Sequence, residues 1–114
     1  MSARSTTAQI ATVVILFLSA CGTTENKNQS TPKSFTVEIA QMKFNPAELK
    51  VHRGDTVIFL NHDMVTHDIT EERSKSWSSS QLAANASWSL VVNKSADYFC
   101  SLHPVMKGKI TVEK

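Results

Sequence analysis

The sequence predicts an all-β protein, a Greek-key β-sandwich of about seven or eight strands. Three observations predict it. Apolar residues recur with a period of two rather than 3.6, no ten-residue stretch carries a helical stripe, and the folding part of the chain holds only 81 residues, at 34–114. At 114 residues and a formal charge of +2, the chain has room for one domain and no long basic stripe, which argues against nucleic acid as a partner.

The leader comes first. Arg4 is the only charge before the apolar run Ile10–Leu18, which is too short to span a bilayer but fits a secretory signal. The run ends in Leu18-Ser19-Ala20-Cys21, which resembles the lipobox of bacterial lipoproteins. In that family the cysteine is acylated and becomes the first mature residue. Residues 1–20 are thus expected to be a lipoprotein signal peptide and Cys21 the lipidation site. Residues 22–33 (GTTENKNQSTPK) lack any aliphatic or aromatic side chain and cannot bury enough apolar surface to fold. Residues 21–33 therefore read as lipidated cysteine and flexible linker, and a coil of this length reaches about 20 Å. The expected location is outside the cytoplasm, anchored to a bacterial membrane and facing the periplasm or the cell exterior.

Residues 34–114 carry nine Lys/Arg and nine Asp/Glu, a formally neutral domain. Phe35, Val37 and Ile39 alternate with Thr36, Glu38 and Ala40, and Leu49 and Val51 with Lys50; Val57 and Phe59 lie on one face of a run with Thr56 and Ile58; Trp88, Leu90 and Val92 alternate with Ser87, Ser89 and Val91; and Ile110 and Val112 close the list. Each run reads as a half-buried strand facing a shared core. Arg53-Gly54-Asp55 is a turn between two of them. Further strands are expected at Asp97–Cys100 and, starting at His67, over His67–Thr70. Residues 72–84, rich in serine, read as a long loop with room for one helical turn. Trp88 is assigned to the core and Trp77 to a cap at one end of the sandwich.

Chemistry concentrates near the C-terminus in Cys100-Ser101-Leu102-His103-Pro104-Val105-Met106. A thiol, an imidazole and a thioether within seven residues form a soft-to-borderline donor set without a carboxylate, which suits copper better than calcium or magnesium. Zinc favours more thiolates, or another histidine or carboxylate. A trigonal His2Cys site lacks one ligand, and the segment Asn61-His62-Asp63-Met64-Val65-Thr66-His67-Asp68 offers His62 or His67.

Here the chain resembles the cupredoxins, the blue-copper proteins that include plastocyanin, pseudoazurin and amicyanin. The likeness runs over nearly all of residues 35–114. It includes Phe44-Asn45-Pro46, Val51, Gly54-Asp55-Thr56-Val57, Phe59, Asn61 six residues before a histidine, and a Cys-x2-His-x2-Met loop with amicyanin's short spacing. By position the resemblance implies His67, Cys100 and His103 as strong ligands of one type 1 copper ion, with Met106 as the weak axial ligand. His52 and His62 receive no role, and Met64 is the only competitor for the axial place. Asn61 and Asp68 are expected just outside the ligands. Met64, Val65, Pro104 and Val105 are expected to form an apolar docking patch for transient redox partners around the edge of His103. Three departures from the family stand out: Thr66 replaces a frequent proline, Asp68 replaces a typical asparagine, and Phe99 replaces plastocyanin's tyrosine. An acid at 68 accepts hydrogen bonds but donates none unless protonated.

The implied function is single-electron transfer between membrane-associated or periplasmic redox partners by a monomer cycling between Cu(II) and Cu(I). Its rival is a copper-binding or copper-delivery lipoprotein. An enzyme is disfavoured because the sequence offers one copper site and no nucleophile–base pair. A dinuclear copper centre needs two cysteines in the ligand loop, and only Cys100 is present there.

Overall fold

The computed structural model describes residue 3, residues 11–16 and residues 31–114. Cys21 and the expected cleavage site lie outside the described residues. Among the described residues eight strands follow one another: β1 (Ser34–Ala40), β2 (Lys43–Asn45), β3 (Glu48–His52), β4 (Thr56–Asn61), β5 (Thr70–Glu71), β6 (Ser87–Val91), β7 (Ala96–Cys100) and β8 (His103–Glu113). They form two four-stranded sheets, β2-β1-β4-β6 and β3-β8-β7-β5. The chain crosses repeatedly between the sheets, the connectivity expected of a Greek-key sandwich. β1 pairs with β4, and β3 with β8, in parallel; the other pairs are antiparallel.

The period-two pattern has become the core. Val37 and Ile39 of β1, Val57 and Phe59 of β4, Val51, Tyr98, Cys100 and Ile110 are all buried between the sheets. Phe44 stands edge-on to Tyr98, with ring centres 4.9 Å apart, and Phe59 is edge-on to it at 5.3 Å, a favourable aromatic arrangement. Tyr98 fits because its partner in register on β8 is Gly108: a Cβ there would fall on the outer edge of the tyrosine ring. Among the described residues its hydroxyl is buried without a hydrogen-bond partner.

Three local expectations need correction. The strand expected at His67 starts later, at Thr70; His67 makes only an isolated bridge to Leu82. Residues 72–84 form the expected loop, with a hydrogen-bonded turn at 72–74 and no helix. The carboxylate of Glu71 takes the N–H groups of Arg73, Ser74 and Ser76 and the hydroxyls of Ser74 and Ser76, so these donors are already committed to one point. Trp88 lies half-buried at the margin of the core, on an edge strand. Trp77 packs between Trp88 of one sheet and Tyr98 of the other, at 5.8 and 6.4 Å between ring centres, and so closes a side seam rather than an end.

Gly54, at φ 94°, makes the predicted turn. Next to it the buried Asp55 accepts hydrogen bonds from the N–H groups of Lys33 and His52, which hold its carboxyl below the usual carboxylate range. The chain thus enters the sandwich at the Thr56 end of β4. The register Ile39↔Asn61 places the far end of β1 beside the loops that carry His67. With a strand rise of about 3.3 Å per residue, the two ends lie roughly 20 Å apart.

Candidate metal centre

Three of the four expected ligands, His67, Cys100 and His103, converge from two segments, and Met106 lies buried farther along the second. Cys100 closes β7, His103 and Met106 lie on β8 directly after a tight connection, and His67 stands in the loop between β4 and β5. Cys100 Sγ lies 3.8 Å from His67 Nδ1 and 3.7 Å from His103 Nδ1, and the three donor atoms all fall within 4.8 Å of one another. His67, Cys100 and Met106 are buried, while His103 is half-exposed.

The contacts behind each donor fix its direction. His67 Nε2 lies 2.8 Å from Asp63 Oδ2. Burial alone would raise the Asp63 carboxyl, but donation from Met42 N–H, the His67 ring and Gln41 N–H holds it below its usual range. A carboxylate only accepts, and the other ring nitrogen, Nδ1, faces Cys100. The Asp68 N–H points at Cys100 Sγ from 3.4 Å. The Asp68 carboxylate accepts from Ser101 N at 2.7 Å, from the Ser101 hydroxyl and from Thr70 Oγ1 at 3.1 Å. The two ligand segments are therefore tied by the Asp68 N–H on Cys100 and by a side chain at position 68 that only accepts. Asn61 is wholly buried; its amide donates to Val65 O at 2.9 Å and Leu82 O at 3.0 Å and accepts from Asp63 N at 2.9 Å.

A family model described as a cupredoxin-like domain matches residues 9–112. The chain belongs to the cupredoxin family. Its relatives include amicyanin-alpha of Methylorubrum extorquens, 31% identical, with 82% of this chain matched to 84% of that protein. A solved mutant amicyanin in a Cu(I) state superposes with a TM-score of 0.66 at 29% identity, over 70% of this chain and 82% of the other. A copper-containing nitrite reductase from Thermus scotoductus superposes at 0.65 with 26% identity, but this cupredoxin spans only 23% of that enzyme.

The donor geometry fits the metal of the family. Metal–nitrogen and metal–sulfur bonds of about 2.0 and 2.3 Å at trigonal angles require nitrogen and sulfur about 3.8 Å apart. The observed separations are 3.7 and 3.8 Å. Two imidazoles, one thiol and a buried thioether farther along β8, with no carboxylate, form a donor set suited to copper.

The expected docking residues lie at the surface of this cupredoxin. Met64 is 93% exposed, Val105 89% and Val65 46%, and Pro104 is also exposed. Leu102, 43% exposed, was not anticipated, although its place between Cys100 and His103 was a signal. His62 and His52 are exposed and away from the donors; His62 lies 3.7 Å from Glu38. Phe99 is covered by Lys75, whose ammonium stands 4.8 Å from the ring centre. Asp63 is the residue that sequence reasoning passed over: its only signal was its place four residues before His67.

Proposed function

We propose that this cupredoxin is a one-electron carrier that holds a single type 1 copper with His67, Cys100 and His103 and, at the weak axial place, Met106. Copper, when bound, supplies the Cu(II)/Cu(I) couple. The observation that carries this reading is a buried thiol flanked by two imidazole nitrogens at the separations of donors that share one metal ion. The protein's part is to hold those donors still. His67 is fixed by Asp63, Cys100 receives the Asp68 N–H, and the Asp68 carboxylate ties Ser101 to the segment bearing His67. A donor set held this tightly has little to rearrange when charge changes, so electron transfer is fast.

His103 is the ring that reaches solvent, so contact with a partner falls on its edge, amid Met64, Val65, Leu102, Pro104 and Val105. A small apolar face favours brief docking over tight binding. The partners are transient redox proteins, the protein works as a monomer, and it is a carrier rather than an enzyme. We further infer that residues 1–20 are a signal peptide, that Cys21 is acylated, and that residues 21–33 tether the domain of residues 34–114 to a bacterial membrane on its periplasmic or outer side. More than one acyl chain makes such anchoring stable.

The copper-loaded protein is expected to show intense blue thiolate-to-copper absorption and reversible voltammetry, both lost in Cys100→Ser. A Cu(II) complex that stays pale refutes the reading. Cys21→Ser is expected to move the protein from the membrane to the soluble fraction, and an unchanged distribution refutes the anchor.

A further inference from the structure

Asp63 has no place in the ligand spacing, yet its carboxylate joins three segments. Oδ2 faces His67 Nε2 at 2.8 Å and accepts from Met42 N at 3.0 Å, while Oδ1 accepts from Gln41 N at 2.7 Å. The imidazole of His67 is wholly buried and the Asp63 side chain only 16% exposed, so the pair is largely removed from water. Gln41 and Met42 form the two-residue connection between β1 and β2, with φ of 53° and 58°. Side chains other than glycine seldom adopt such angles, although a tight hairpin turn requires them at both positions. Here the angles aim two successive N–H groups at one carboxylate.

A neutral acceptor cannot replace this group in place. Three donors converge on Asp63, and an asparagine would turn its own NH2 toward at least one of them. Nor would a backbone carbonyl bring a charge to the imidazole.

We propose that Asp63 is a positioning residue for the metal centre: held by the β1–β2 turn, it fixes His67 as the Nε2–H tautomer and places negative charge behind the ring, favouring the oxidised over the reduced metal. This rests on the copper reading of the site. Carboxylates behind ligating histidines orient the ring and raise its basicity, and losing one costs on the order of 10- to 100-fold in metal affinity. The greater loss falls on the more highly charged ion.

The test has an arm without metal and an arm with it. Nitrogen-resolved NMR of the copper-free full chain, at alkaline pH where imidazole is neutral, is expected to show His67 protonated at Nε2 and bare at Nδ1. Competition titrations with Cu(II) and Cu(I) are expected to show Asp63→Asn losing on the order of 10- to 100-fold in Cu(II) affinity and less in Cu(I). The reduction potential then rises by about 59 mV for each tenfold difference between the two losses. Asp63→Glu, which keeps the charge, is expected to recover most of both effects. A native chain with His67 protonated at Nδ1 overturns the proposal. So does a folded Asp63→Asn protein with native affinities, or one whose potential falls. The native tautomer is read without any substitution, so a variant that fails to fold does not shield the proposal. A native chain that has the tautomer but takes up no copper refutes the copper reading and leaves the positioning of His67 standing.

Discussion

Replacing Tyr98 by phenylalanine removes one oxygen from the middle of the sandwich and is expected to make the protein more stable. The hydroxyl is buried with no partner, while the ring that carries it packs edge-on against Phe44 and Phe59. Tyr98→Phe keeps the ring and relieves the hydroxyl's desolvation, a gain of about 1–3 kcal/mol. For a domain of this size each kcal/mol raises Tm by about 4–8 °C. Alkaline pH supplies a second reading. Burial pushes the Tyr98 phenol well above its ordinary value of 10.0, so the folded protein keeps this proton after the unfolded chain has lost it. Stability from this group is therefore complete below the ordinary value and falls as pH rises beyond it, with a slope approaching about 1.4 kcal/mol per pH unit. The phenylalanine variant lacks that decline, so its advantage should widen with pH. Urea unfolding of the metal-free proteins, followed by the fluorescence of Trp77 and Trp88, measures both effects. A variant less stable at neutral pH would show that the hydroxyl has a partner. Parallel alkaline limbs would show that Tyr98 ionises as readily folded as unfolded.

Glu71 governs the opposite end of the pH scale. Donation led by the Ser74 hydroxyl, together with backbone N–H groups, holds its carboxyl at about 2 against an ordinary 4.5. Its contribution is whole above 4.5 and lost as pH falls toward 2; in acid titrations followed by circular dichroism, Glu71→Gln should be less stable at neutral pH and show a shallower acid limb. Asp68→Ala strips the acceptor from Ser101 N, Ser101 Oγ and Thr70 Oγ1. It is expected to cost about 1–3 kcal/mol in urea unfolding and to weaken copper binding in titrations. Val105→Glu alters a side chain that is 89% exposed, and stopped-flow mixing should show slower reduction by a partner with the visible spectrum unchanged.

Strands such as β1, β3 and β4 were legible because they alternate more and less buried residues over a core that both sheets share, and the donors because Cys100, His103 and Met106 fall within seven residues. His67 could be separated from His62 only through its resemblance to a family pattern, since both lie in the same polar segment. What escaped the sequence depends on contacts far along the chain. Nothing local says that Gly108 exists to admit the ring of Tyr98, or that Gln41 and Met42 turn their N–H groups toward Asp63, 22 and 21 residues away. The serine-rich stretch after Glu71 was legible as a loop, but composition does not reveal that a single carboxylate gathers its donors. Asp68 looked like a weakness because the usual asparagine both donates and accepts; here Ser101 and Thr70 supply all the donors.

The entry of the chain beside Asp55, at the pole remote from His67, also has a mechanical meaning. A pull between the leader and a partner seated on the His103 face would run lengthwise along β1. The six paired positions from Ser34↔Thr56 to Ile39↔Asn61 would then share that force in shear, all at once, rather than opening one after another like a zip. A carrier leashed at one end and gripped at the other would bear tension through its strongest direction.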